Sequence, residues 1–164
     1  MENSEIIDSL KSNQSSPPED VNVKTGEKFV IVLIGEKKFA LPELIVQEII
    51  IENEIHYLPF TPHYIRGLIN RQGEPYSVVD LQILFSNQML EAKKFVILRN
   101  SVDKMSFIIS DILKIVFINS NDIHFIKDQN DKDAYFHSSI THENDEIPVV
   151  DVQKIVIRIQ DDLE

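Results

Sequence analysis

The sequence predicts an all-β fold with a few short helices. Three observations carry that expectation: short β-branched apolar runs, turn chemistry between them, and an internal repeat. The runs cover residues 29–34, 47–51, 95–98, 107–109 and 112–118. Their shortness and their Val, Ile and Phe content suit strands better than helices. Gly35-Glu36 ends the first run, and Gly73-Glu74-Pro75 separates residues 70–72 from 76–79. Many short strands with turns between them suggest small barrels or a sandwich.

The repeat is the most informative feature. Lys28-Phe29-Val30-Ile31-Val32-Leu33 matches Lys94-Phe95-Val96-Ile97-Leu98-Arg99, and Lys38-Phe39-Ala40-Leu41 matches Lys104-Met105-Ser106-Phe107. The register continues with Val46, Ile49 and Ile50 against Ile112, Ile115 and Val116. After a small insertion Tyr64 aligns with Tyr135 and Ile69 with Ile140. Ser77-Val78-Val79-Asp80-Leu81-Gln82 closes the first unit, as Pro148-Val149-Val150-Asp151-Val152-Gln153 closes the second. Two similar β units follow, each too small to bury its apolar faces comfortably alone. The expected division is a tail over residues 1–27, a first unit over about 28–85, a second over about 92–152, and an acidic tail over 161–164. Residues 4–11 of the leader could form a short amphipathic turn.

Composition narrows the function classes. The chain has 164 residues, 43% of them hydrophobic, enough for a substantial core. Acidic residues outnumber basic ones 27 to 16, giving a net charge of −11. That balance argues against nucleic acid and against an anionic membrane surface, both of which need a basic face. Without cysteine there is no disulfide, thiolate metal site or Cys nucleophile. The apolar runs are too short to span a bilayer, and the opening Met-Glu-Asn-Ser-Glu lacks a secretion-signal layout. The expectation is a cytoplasmic protein.

Candidate chemistry is sparse. Asp80 and Asp151 each end an apolar strand and precede a short helix-compatible stretch, at 81–85 and 152–156. Recurrence in both units favours helix capping over paired catalytic carboxylates, with removal costing about 1 kcal/mol. The histidines His56, His63, His124, His137 and His142 have no zinc-like spacing, so neither metal nor cofactor is expected. There is no phosphate-cradling glycine loop and no GxSxG elbow. The basic pairs Lys37-Lys38 and Lys93-Lys94 read as edge residues that discourage sheet aggregation. Glu48 interrupts an apolar stretch and would share a strand face with Val46 and Ile50. It fits either a charge beside an apolar binding strip or an ordinary exposed strand position.

Several of these segments resemble the CheW-like family of chemotaxis coupling proteins. Residues 29–34 with Gly35 and Phe39-Ala40-Leu41 are similar to its opening hairpin, and Val46-Gln47-Glu48-Ile49 to its V-x-E-I strand. Residues 61–70, Thr-Pro-His-Tyr-Ile-Arg-Gly-Leu-Ile-Asn, resemble its P-x-[FY]-[IV]-x-G-[VL]-x-N segment. Val78-Val79-Asp80-Leu81 and Val149-Val150-Asp151-Val152 resemble its two strand-to-helix turns. The resemblance runs from about Lys28 to Ile159. It implies two five-stranded SH3-like β-barrel subdomains around a shared core, and no enzyme activity. It implies a scaffold linking the cytoplasmic tips of chemoreceptors to the regulatory domain of the histidine kinase CheA, with other CheW-like proteins as further ring partners. By position it places Val46, Glu48, Ile115 and Gln72 at the receptor groove, and it assigns no kinase-contact residues.

The chain departs from that pattern where the family has Asn-x-Arg-Gly. Here Asn70-Arg71-Gln72-Gly73 puts Gln72 at the arginine position and Arg71 one place early. On a strand that shift turns Arg71 to the opposite face, and glutamine supplies no charge. Ser106 stands for a Gly and Ser110 for an Asp. A divergent adaptor for another signalling complex is one alternative. A small-ligand sensor is the other, although no converging polar groups in an apolar pocket are legible.

Overall fold

The computed structural model describes residues 25–52, 54–99, 103–126 and 135–164; most of the expected N-terminal tail lies outside them. The chain runs β1 (Gly26–Ile34), β2 (Lys37–Pro42), a 3-10 turn (Glu43–Ile45), β3 (Val46–Ile51), β4 (Ile65–Arg71), β5 (Glu74–Val79) and α1 (Leu81–Ser86). It continues with β6 (Lys94–Leu98), β7 (Met105–Ile109), β8 (Asp111–Asn119), a 3-10 turn (Ser120–Asp122), β9 (Ile123–Phe125), β10 (Phe136–His142), β11 (Asp145–Val150) and α2 (Val152–Leu163). Every apolar run named above lies in a strand. The turns Gln72-Gly73 and Glu143-Asn144 carry positive φ at both residues (50° and 83°, 49° and 65°), the geometry that suits tight hairpins.

The two sheets do not follow the two repeats. One has the order β8-β1-β2-β11-β10-β9 and the other β3-β6-β7-β5-β4. The β1–β2 hairpin therefore completes the sheet of the second repeat, and β6–β7 completes the sheet of the first. Each repeat donates its leading hairpin to the other through an antiparallel pairing on one side, β1 with β8 and β6 with β3, and a parallel pairing on the other, Val149 with Ala40 and Val78 with Ser106. These four positions are repeat equivalents, so the twofold echo reaches the level of single residues. The bulges repeat as well. Gln47 is the extra residue of β3 and Leu113 of β8, while Arg66 bulges from β4 and His137 from β10.

Exchange of hairpins explains the core. The main cluster joins Val30, Val32 and Leu41 to Val96, Leu98 and Phe107, with Leu81 and Ile155 from the two helices. A smaller cluster, Phe29, Ile31, Ile118, Ile140, Ile147 and Val149, fills the six-stranded sheet. Neither repeat can withdraw its strands without exposing both cores. Helix α2 extends through Asp161, Asp162 and Leu163, where the sequence reads as an acidic tail. One tertiary and one intrahelical contact hold that last turn: the Tyr64 hydroxyl donates to Asp162 Oδ2 at 2.7 Å, and Arg158 Nε, one turn earlier in the same helix, donates to the same oxygen at 2.8 Å. Likewise β1 begins at Gly26, inside the span expected to be tail.

Candidate functional site

Strand β3 is an edge of the five-stranded sheet, and its bulge rearranges the expected faces. Val46 lies opposite Leu98 and Glu48 opposite Ile97, leaving Gln47 unpaired. Successive residues of β6 point to opposite faces. Glu48 therefore shares a face with Ile50, opposite Phe95, and not with Val46 as strict alternation predicts. Val46 packs against the main core.

Glu48 has a partner that the sequence does not suggest. Arg71 donates through Nε to Oε1 at 2.5 Å and through Nη2 to Oε2 at 2.7 Å. Both side chains are 28% exposed. The hydrogen bonds from Arg71 hold the Glu48 carboxyl below the usual carboxylate range, against a smaller opposing effect of burial. The expectation that Arg71 faces away is thus corrected. Arg71 is the last residue of β4, the opposite edge of the same sheet, and the pair bridges the two edges. Gln72 is not on the strand; it sits in the turn with φ 50°.

The second repeat carries the image of this contact with its polarity reversed. Lys114, the equivalent of Glu48, donates to Glu143 Oε2 at 3.0 Å, and Glu143 is the turn equivalent of Gln72. Beside Lys114, Ile115 is 57% exposed on β8, an edge of the six-stranded sheet. Leu113 and Phe117 are exposed with it, so β8 presents an apolar strip. Glu48, Arg71 and Gln72 lie together at one barrel end, whereas Ile115 stands on the other sheet.

Both expected caps form. Asp80 and Asp151 have the same backbone angles, φ −94° and ψ 100°, and each accepts from N–H groups of the following helix. Asp80 does more. It is completely buried, accepts from Arg66 Nη1 at 3.0 Å and from the Leu90 N–H at 2.9 Å, and so pins the inter-repeat segment. Among the described residues no three His, Asp or Glu side chains converge on a point that could hold a metal.

The CheW-like domain family matches residues 28–160. The chain belongs to that family. Its fold is like that of the scaffolding protein TtCheW from Thermoanaerobacter tengcongensis, with a TM-score of 0.67 at 21% identity, covering 77% of this chain and 89% of that one. It is 22% identical over 126 residues to the chemotaxis protein CheW of Helicobacter pylori, spanning 75% of this chain and 76% of the relative. It is 30% identical over 63 residues to the chemotaxis protein CheW of Klebsiella aerogenes, 38% of each chain.

Within this CheW-like chain, two departures from the family pattern have local explanations. Ser106 is fully buried and donates to the Ser77 carbonyl at 3.0 Å, supporting the exchanged hairpin. Ser110 accepts from the Gly35 N–H at 2.9 Å, tying the β1–β2 turn to the end of β7. Sequence reasoning missed Arg71 and Arg66 as ion-pair partners. Arg66 is the bulged residue beside Gly67, where a Cβ would overlap the His56 carbonyl oxygen.

Proposed function

We propose that this chain is a non-catalytic scaffold of chemotaxis arrays that couples chemoreceptor cytoplasmic tips to the regulatory domain of CheA. Membership of the CheW-like family is the observation that carries the reading. On this reading Val46, Glu48, Gln72 and Ile115 border the groove for a receptor helix, and other CheW-like proteins are ring neighbours. The exposed strip Leu113, Ile115 and Phe117 on β8 supports it, because an amphipathic receptor helix needs an apolar surface of this kind. Individual contacts of modest strength gain from repetition in a lattice. The chain acts in the cytoplasm and reaches the membrane through its partners. No helix among the described residues is long and apolar enough to cross a bilayer, which accords with indirect attachment.

The test is titration of the full chain with a receptor cytoplasmic fragment and with CheA. Ile115→Asp is expected to weaken receptor binding at least tenfold while leaving the melting temperature unchanged. Unaltered receptor affinity, or absence of binding to either partner by the parent chain, overturns the reading. Co-purification with a different signalling complex would instead favour the divergent-adaptor alternative.

A further inference from the structure

The segment after α1 is held by three side chains. The Leu90 N–H donates to Asp80 Oδ2 at 2.9 Å, the Leu90 carbonyl accepts from Arg66 Nη1 at 2.9 Å, and the Met89 carbonyl accepts from Gln82 Nε2 at 3.3 Å. The Leu90 side chain, 5% exposed, joins the main core. An extended segment is thus read by a carboxylate, a cationic donor and an amide, with one aliphatic side chain as its anchor.

Each of the three reading groups has a repeat equivalent: His137 for Arg66, Asp151 for Asp80, Gln153 for Gln82. All three line one cleft of about 590 Å³. Its apolar wall includes Ile45, Leu98, Val152 and Val156. Nothing among the described residues occupies the place that Leu90 holds in the first repeat. His137 Nδ1 is buried, lies 3.4 Å from Asp151 Oδ2 and makes no hydrogen bond. That nitrogen faces Asp151 and has no exposed surface, but the imidazole as a whole is 40% exposed, so a turn of the ring lets it donate to an incoming carbonyl.

We propose that this cleft is a docking site for an extended segment of a partner protein, which inserts one leucine-sized side chain while its backbone pairs with Asp151 and His137. The occupant's chemistry is copied from the chain's own Leu90 segment seated on the twofold-equivalent surface. A leucine or methionine fills the apolar wall, the preceding carbonyl meets Gln153, its own N–H meets Asp151 and its carbonyl meets His137. The site uses none of Glu48, Gln72 or Ile115, so it stands whether or not the receptor groove does.

The probe is a capped hexapeptide copying residues 87–92, Asn-Gln-Met-Leu-Glu-Ala, titrated into the full chain and followed by methyl and imidazole NMR signals. Saturable shifts confined to Val152, Val156 and His137 are expected. Replacing the peptide leucine by glycine is expected to weaken binding at least tenfold, and Val156→Trp in the chain to abolish it. Gln153→Ala, at an exposed position, provides a second variant that leaves the core alone and is expected to weaken binding several-fold. Absence of saturable shifts at these residues overturns the proposal. So does a tenfold gain in peptide affinity on Leu10→Asp, which would make the chain's own N-terminal segment the occupant. Concentration-dependent shifts of the same signals without peptide would assign the cleft to a second copy and overturn it equally.

Discussion

Glu48 on β3 and Arg71 at the end of β4 stand on the two outermost strands of one five-stranded sheet, and their two-bond contact closes it into a barrel. The open edges of a sheet are where unwanted pairing begins. Here an ion pair joins those edges; in the second repeat Lys114 on the edge strand β8 pairs with Glu143 in the β10–β11 turn, with the charges exchanged, while β9 forms the far edge of that sheet. The pair therefore belongs to the architecture before it belongs to any partner contact.

Charge reversal separates those roles. Glu48→Arg and Arg71→Glu each place like charges at the closure and are expected to lower the melting temperature. The double reversal restores the attraction and is expected to recover most of the loss. Thermal melts of the four proteins form a double-mutant cycle. Additive effects would show that the two side chains do not depend on each other.

Acid should weaken the same closure. Arg71 lowers the Glu48 pKa, and Arg158, followed by Tyr64, lowers that of Asp162. A carboxyl whose pKa is lower folded than unfolded stabilises the protein above its unfolded value, near ~4.3 for Glu and ~3.9 for Asp. That contribution fades as pH falls through the folded value. The urea midpoint is expected to decline below about pH 4.5, and more gently in Glu48→Gln than in the parent. Parallel declines would remove Glu48 from the acid response.

The strands and the duplication were legible because β-branched alternation and residue-by-residue likeness are properties of the sequence itself. The exchange of hairpins was not. Likeness between Ala40 and Ser106 says that they occupy equivalent places, not which repeat's β5-like strand each will meet. Pairing of Glu48 with Arg71 was hidden for a related reason. Strict alternation assumes an unbroken strand, but Gln47 bulges and Gln72 turns with positive φ, so the faces change on both sides. The caps were legible because Asp80 and Asp151 act on neighbours within a few residues. The Leu90 and Arg66 contacts of Asp80 span longer loops and needed the fold.

The two caps, equal in sequence, are expected to differ in energy. Asp151→Ala removes hydrogen bonds to the start of α2 and should cost about 1 kcal/mol. Asp80→Ala also leaves Arg66 and the Leu90 N–H without their buried acceptor, which should raise the cost to about 3 kcal/mol. Urea unfolding of both variants measures the difference. Equal losses would mean that the Arg66 and Leu90 contacts contribute nothing.

Tyr64 links the first barrel to the end of α2. Burial raises its pKa, and donation to Asp162 raises it further. Tyr64→Phe keeps the ring in the core and deletes only that hydrogen bond, so a loss of about 1 kcal/mol is expected. Amide exchange in the last turn of α2 should accelerate at the same time. An unchanged exchange rate would show that Arg158 alone holds Asp162.

The reversed pair in the second repeat predicts that the closure can move by one residue. Glu143 reaches Lys114 from the turn position equivalent to Gln72. An arginine at 72 should therefore reach Glu48 once Arg71 no longer occupies it. In the parent background both Glu48 oxygens already accept from Arg71, so Gln72→Arg alone is expected to change stability and receptor coupling little. Arg71→Leu alone removes the counter-charge and should lower the melting temperature. Arg71→Leu with Gln72→Arg should recover it, because the guanidinium returns to the same carboxylate from the adjacent backbone position. Melting curves of the three variants decide the structural claim, and receptor titration of the double variant shows whether a partner distinguishes the two placements. If Gln72→Arg does not rescue Arg71→Leu, the β4–β5 turn does not aim at β3 as its repeat equivalent aims at β8, and the functional equivalence of the two closures fails.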